Sequence, residues 1–268
     1  MNATPQSGGE PESTASLPLL APCRQIAATA PLGWMRKGWA DIRHAPRLSL
    51  GYGAAIAALG YAIAFGTWRF GNLGLYFGLV TGFVLLGPVL AVGLYSTSCQ
   101  LEQGLTPHLS HCLRDKQRSF TPLLMFGFVL LVIFLLWGRS ASMVHIFFPM
   151  ESEYRWQDLA LFLGVGSVIG TVFVLLIFTF SAFSLPMIMD RKVDAVTAAL
   201  TSVNAVLRNK PAMLVWLLLI AACLVVSILT MFLGLVVLLP VLGHATWHGY
   251  RETIDASVFS RHATGATN

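Results

Sequence analysis

Charge is what this chain lacks. Asp, Glu, Lys and Arg make up only 11% of its 268 residues, against about a quarter in ordinary soluble domains. With 56% hydrophobic residues and a mean hydropathy of +0.70, the chain has too little polar surface to clothe a water-soluble fold, and a membrane protein is the class that remains. Cysteine is scarce too. Cys23, Cys99, Cys112 and Cys223 are scattered, and on the topology derived below none faces an oxidising compartment, which argues against a disulfide framework. Soluble-enzyme signatures are missing: there is no Gly-rich phosphate loop after a strand, no HExxH, no paired CxxC and no GxSxG. The formal charge of +5 would suit nucleic acid, but the basic residues form no continuous run and sit beside apolar stretches. The partner this implies is the lipid bilayer with its anionic headgroups, and no nucleic acid.

What is present in place of charge is length of apolar run. Crossing the hydrocarbon takes roughly 20 apolar residues. Leu48 to Trp68, Leu73 to Thr97, Pro122 to Gly138 and Leu159 to Met189 each meet that requirement. The uncharged run from Pro211 to Tyr250 is too long for one helix and reads as two spans turning near Thr230 to Gly234. Of the 17 Lys and Arg residues, all but Arg69, Arg139 and Arg155 fall on one side of the resulting topology, which places both termini in the cytoplasm of a bacterial inner membrane. The first 30 or so residues, rich in Pro, Gly, Ser and Thr, read as disordered. No Lys or Arg precedes Arg24, and Leu17 to Ala21 is too short for a signal peptide, so the first span is the insertion signal. The organisation expected is a disordered cytoplasmic tail over 1–30, a six-span membrane domain over 31–252 and a cytoplasmic tail over 253–268.

The six spans share a threefold punctuation. Each odd-numbered span is entered through a basic residue and then a proline: Arg43 with Pro46, Arg118 with Pro122, Lys210 with Pro211. Each even-numbered span carries a proline toward its cytoplasmic half, Pro88, Pro186 and Pro240, where the ring frees a carbonyl and kinks or hinges the rod. The fold class is therefore all-α, a transmembrane bundle of six spans readable as three related hairpins. Amphipathic cytoplasmic helices join them. One carries Val193, Val196, Leu200, Val203 and Leu207 at helical spacing; the other sets Trp34, Met35, Trp39 and Ile42 beside Arg36, Lys37 and Arg43, aromatic anchors for the headgroup layer. Small residues recur every fourth position at Gly74, Gly78 and Gly82 and again at Gly166 and Gly170, a spacing that lets helix backbones approach, within the chain or in a homo-oligomer.

No Asp, Glu, Lys or Arg lies inside an expected span, which disfavours an ion-coupled pump. A carrier using hydroxyls such as Thr179, Ser181 and Ser184 stays open. Histidine offers the one ligand cluster: His244 and His248, four apart in GHATWHGYR, share a helix face, with His44, His108, His111 and Cys112 on the same side of the membrane. A transition metal or haem is one use of that pair. The other, and the preferred one, involves no cofactor: with Trp247 and Tyr250 the two histidines form an interfacial girdle anchoring the last helix. The segment Arg139 to Asp158, with Glu151 and Glu153, reads as a solvated outer loop.

The stretches SLGYG (Ser49 to Gly53), GPVLAVGLY (Gly87 to Tyr95), FSLPMIMDR (Phe183 to Arg191) and LPVLGHATWHGYR (Leu239 to Arg251) resemble an uncharacterised family of predicted bacterial, mainly proteobacterial, integral membrane proteins. The resemblance runs from about Trp34 to Arg251, with GHATWH its most specific part. It implies six spans and an inner-membrane address, and it supplies no activity. The functional expectation is a non-enzymatic accessory or scaffold component of a membrane complex. A transporter or channel for a small neutral or weakly charged solute is the second reading, and a metal- or haem-binding membrane protein the third.

Overall fold

Proline sets where several of the helices begin. Helix α1 (Ala30–His44) and helix α2 (Pro46–Phe70) both carry proline in their first two positions, where the missing N–H would have been unpaired anyway. Ala45 bends the chain between them. The computed structural model describes residues 18–71, 78–79, 81–83, 86–147 and 156–261, without the side chains of 109–120, 145–147 and 158–159. Gly74 and residues 148–155 of the expected outer loop, with Glu151 and Glu153, lie outside the described residues, whereas 139–147, expected as loop, are helical.

Downstream come α3 (Gly87–Leu90), α4 (Val92–Glu102), α5 (Leu109–Phe147), α6 (Trp156–Ser181), α7 (Ser184–Asp190), α8 (Ala195–Arg208), α9 (Lys210–Leu229) and α10 (Leu235–Thr253). A single 3-10 turn, Ala256–Val258, follows. Among the described residues the fold is all-α, and extended pairing is confined to the isolated bridges Cys23 to Ile254 and Arg191 to Arg261.

The prolines do not all act alike. Pro211 opens α9 as expected, but Pro122 lies inside α5, which has already begun at Leu109. The helix is interrupted at Ala91 just after Pro88. It is interrupted again at Ala182 and Phe183, where the Pro186 ring crowds the carbonyl four residues back. Pro240 sits in an unbroken α10.

Among the described residues, four helices are long and apolar enough to cross a membrane: Pro46–Phe70, Thr121–Val144, Ala160–Asp190 and Lys210–Leu229. The other two expected spans are not among them. The first residues of the Leu73 to Thr97 run, 73–77, lie outside the described ones. Its end forms α4, in which Val92 to Ser98 are all buried in protein. Helix α10 is apolar only to Leu242; from His244 onward it turns polar and sinks into the protein.

Burial therefore divides the molecule. At one end, residues 18–29, α1, α4, α7, α8, the second half of α10 and residues 254–261 close over a core of Trp34, Trp216, Trp247, Tyr250, Phe183 and Leu185, each 1% exposed or less. Trp34 meets Phe183 and Trp216 edge-on, with ring centroids 6.1 and 5.5 Å apart. Beyond the cap the spans leave Phe65, Leu135, Val168 and Leu218 uncovered.

This cap overturns three expectations. Trp34 is a core residue and not a headgroup anchor; of the two tryptophans in α1 only Trp39 is exposed. The expected girdle is interior, since His244, Trp247 and Tyr250 are all fully buried. Residues 18–29, read as part of a structureless tail, run along the cap: the Arg24 amide donates to the Thr253 carbonyl and the Asp255 amide to that of Pro22, both at 2.8 Å. The Ile26 amide and the Ala21 amide bond the side chains of Asn209 and Thr201.

Close approach explains how α1 lies on α10. A Cβ on Gly38 would stand 2.7 Å from the Val241 carbonyl oxygen and 2.8 Å from the Ala245 amide nitrogen, distances no side chain tolerates. Gly53 of α2 faces the Val236 backbone in the same way. Within the described residues a Cβ at Gly78, Gly166 or Gly170 would meet nothing within 4 Å, and the nearest atoms to one at Gly82 belong to the Phe134 ring.

Helix α8 is built opposite to a soluble amphipathic helix. Its small and hydroxyl residues Ala198, Thr201, Ser202 and Ala205 face the core, while Val196, Leu200 and Leu207 point outward. That arrangement is stable where the surroundings are lipid, because outward leucine costs nothing there and small residues allow tight packing inside.

Candidate functional site

The sequence pairing of His244 and His248 is real, and what it faces is Asp41. The Ser98 hydroxyl donates to Asp41 Oδ2 at 2.7 Å, and His248 Nε2 lies 2.9 Å from the same oxygen. A hydroxyl has one proton, so with that proton on Asp41 the Ser98 oxygen accepts from His244 Nδ1, 2.7 Å away. In the neutral imidazole, His244 Nε2 is then the acceptor for the Ser49 hydroxyl at 2.9 Å. The result is one continuous chain, Ser49 to His244 to Ser98 to Asp41 to His248, joining α2, α10, α4 and α1.

Burial makes the chain matter. Ser49 and His244 are 0% exposed and Ser98 is 1% exposed; in so dry a place an unpaired polar group costs about 1–3 kcal/mol. Burial pushes the Asp41 carboxyl up, but hydrogen bonds from His248 and Ser98 and the charge of the neighbouring imidazoles outweigh it, so its pKa lies below the ordinary carboxylate value. Asp41 is therefore an anion at neutral pH, the terminal acceptor of the chain.

A second cluster surrounds Asp190, itself 6% exposed. The Tyr250 hydroxyl donates to its Oδ2 at 2.8 Å, Arg191 Nε at 2.9 Å and an Arg251 guanidinium nitrogen at 3.3 Å. Arg251 also forks onto Glu102 Oε1 at 2.8 and 3.0 Å, and Trp247 Nε1 donates to Glu102 Oε2 at 3.0 Å. Arg261, near the end of the chain, reaches Asp190 at 3.7 Å. The carboxylates thus bind α4, α7, α10 and the C-terminal segment together.

Chemically, both clusters hold structure. Ser49 and His244 have the spacing of a nucleophile and its base, and Ser49 is 0% exposed. Both ring nitrogens of His244 are engaged by serines, and no group of three His, Cys, Asp or Glu residues is placed to hold a metal among the described residues. His44 bonds back to Ala40 of its own helix. The His108 amide is held by Gln100, and the side chains of His111 and Cys112 lie outside the described residues. The hydroxyls suggested for a carrier also turn inward: Ser181 bonds Ile177 and Ser184 bonds Phe180 and Ala198.

Sequence reasoning found the histidines and missed Asp41, Ser49 and Ser98. One signal was available. Asp41 is the single acid between Glu12 and Glu102, set among Arg36, Lys37, Arg43 and Arg47.

Helices of spanning length joined to a closed polar cap define the class: a polytopic α-helical integral membrane protein. Within that class, residues 75–190 match the model of a family described as "Predicted integral membrane protein (DUF2189)". The resemblance to an uncharacterised membrane family is borne out, over a narrower stretch than expected. The match takes in GPVLAVGLY and most of FSLPMIMDR and leaves out SLGYG and the GHATWH segment. No curated protein and no solved structure matches the chain.

Proposed function

We propose that the protein is a non-enzymatic accessory or scaffold component of a bacterial inner-membrane complex, inserted with its cap and both termini on the cytoplasmic side. The observation that carries this reading is the contrast between the two ends. The cap is closed and densely bonded, while the most apolar part of Ala160–Asp190 is only 6% buried and that of Thr121–Val144 only 11%. A self-contained enzyme or carrier gathers its spans around a site; here the spans present long apolar faces outward, free to meet lipid or the helices of another membrane protein. The concentration of Lys and Arg at the cap end supports the orientation.

A photo-crosslinking amino acid at Val168 or Leu218, both more than half exposed, tests the reading in intact membranes. Discrete adducts with one other membrane protein are expected at one of these positions. Adducts with lipid alone, together with solute flux in liposomes, would contradict it.

One observation favours transport as a second reading. A cavity of about 190 Å³ lies beside the break at Pro88, lined by Ala91, Tyr95, Ile220, Ser227, Leu239 and Thr246. A transporter would lose flux in Ala91→Phe, whereas a scaffold would keep its partner.

A further inference from the structure

Among the described residues the carboxylates of the cap are all in use, and three of the arginines at its edge are not. Among the described residues, Asp41, Glu102, Asp190, Asp194, Glu252 and Asp255 each accept from a side chain or backbone amide of this chain. Arg24, Lys37, Arg191, Arg251 and Arg261 are the cations they neutralise. Arg36, Arg43 and Arg47 are exposed and meet no carboxylate among the described residues.

Arg36 and Arg43 share a face. Helix α1 buries Pro31, Trp34, Gly38 and Ile42, so helical spacing turns Leu32, Arg36, Trp39 and Arg43 outward. Leu32 is 55% and Trp39 42% exposed, and the Arg43 guanidinium stacks 5.7 Å over the Trp39 ring. Arg47, also exposed, follows on the first turn of α2. Because α2 is itself a span, these residues lie where the hydrocarbon ends and headgroups begin.

We propose that the exposed face of α1 and the first turn of α2 form a binding surface for anionic glycerophospholipids. Arg36, Arg43 and Arg47 take the phosphates, and Leu32 and Trp39 enter the boundary between headgroup and acyl chain. Uncompensated positive charge selects anionic over zwitterionic lipid, guanidinium forks match phosphate oxygens, and an aromatic and a leucine between the cations suit the interfacial layer. The surface depends only on the chain being in a membrane and stands whether or not the scaffold reading does.

The test uses the full chain in mild detergent, titrated with phosphatidylglycerol or with phosphatidylcholine, counting retained lipid by native mass spectrometry. Phosphatidylglycerol is expected to be retained preferentially. The preference should fall about fivefold for each arginine neutralised in Arg36→Gln, Arg43→Gln and Arg47→Gln, and should weaken as NaCl rises from about 0.05 M to about 0.5 M. Arg24→Gln, at a position already neutralised by Asp255, should leave it unchanged. Unaltered thermal melting in the variants separates lost binding from lost folding. Equal retention of the two lipids by the native protein, an undiminished preference in the triple variant, or displacement by inorganic phosphate alone would each overturn the proposal.

Discussion

His244 is the residue on which the cap turns, because it uses both ring nitrogens in a place with no water to replace a lost partner. His244→Ala leaves the Ser49 hydroxyl without its acceptor, takes the donor from the Ser98 oxygen and leaves a void, and is expected to destabilise by about 3 kcal/mol. His248 makes one bond and its side chain is 21% exposed, so His248→Ala should cost about 1 kcal/mol. Thermal unfolding of the two variants in one detergent checks the order, and a His248 variant as damaged as the His244 variant would count against the chain. Asp41 contributes to the pH response, as does His244, whose pKa burial lowers to about 4. The folded-state pKa of Asp41 is depressed, so its contribution is fully present above the ordinary carboxylate range, near pH 4, and is lost as pH falls through the lower folded value. Asp41→Asn should be less stable at neutral pH and should lose stability less steeply on acidification. Asp194 and Asp255 are shifted in the same direction, so the acid limb should shrink without vanishing. The i, i+4 spacing of the histidines was legible in the sequence because it is a helical property. Their acceptor was not, since Asp41 lies 207 positions from His248 and only the tertiary fold joins them.

At the scale of elements, the helix starts at Pro46 and Pro211 could be read directly, because proline acts there through its own backbone. Glycine acts through its surroundings as well. A repeat at Gly74, Gly78 and Gly82 signals a helix able to pack closely, but whether it does depends on what lies opposite, and the close contacts fall at Gly38 and Gly53. Gly38→Val should force α1 off α10 at a cost of about 3 kcal/mol. Gly33→Ala, where nothing lies within 4 Å, should be neutral or stabilise by up to about 1 kcal/mol through helix propensity. Comparing the yield and melting of the two variants checks the contact. Helix α8 teaches a similar lesson. Its amphipathic stripe was legible, but the stripe alone does not say which face is inside, and here lipid as solvent turns the apolar side outward.

For the whole molecule, hydropathy revealed the membrane class and the long spans because crossing hydrocarbon demands uninterrupted apolar sequence. It could not reveal the cap. Trp34, Trp247 and Tyr250 have the composition of interfacial anchors, and only the return of residues 18–29 and 254–261 over α10 makes them interior. The most economical description of the protein is therefore a set of lipid-facing helices held at one end by a bonded cap into which residues 18–29 and 254–261 are laced. Hydrogen exchange of the full chain in a lipid bilayer tests that description most directly. The amides of Arg24 and Asp255, bonded to Thr253 and Pro22, should exchange as slowly as those of α10 and speed up together in His244→Ala; full exchange within seconds in the native protein would contradict it.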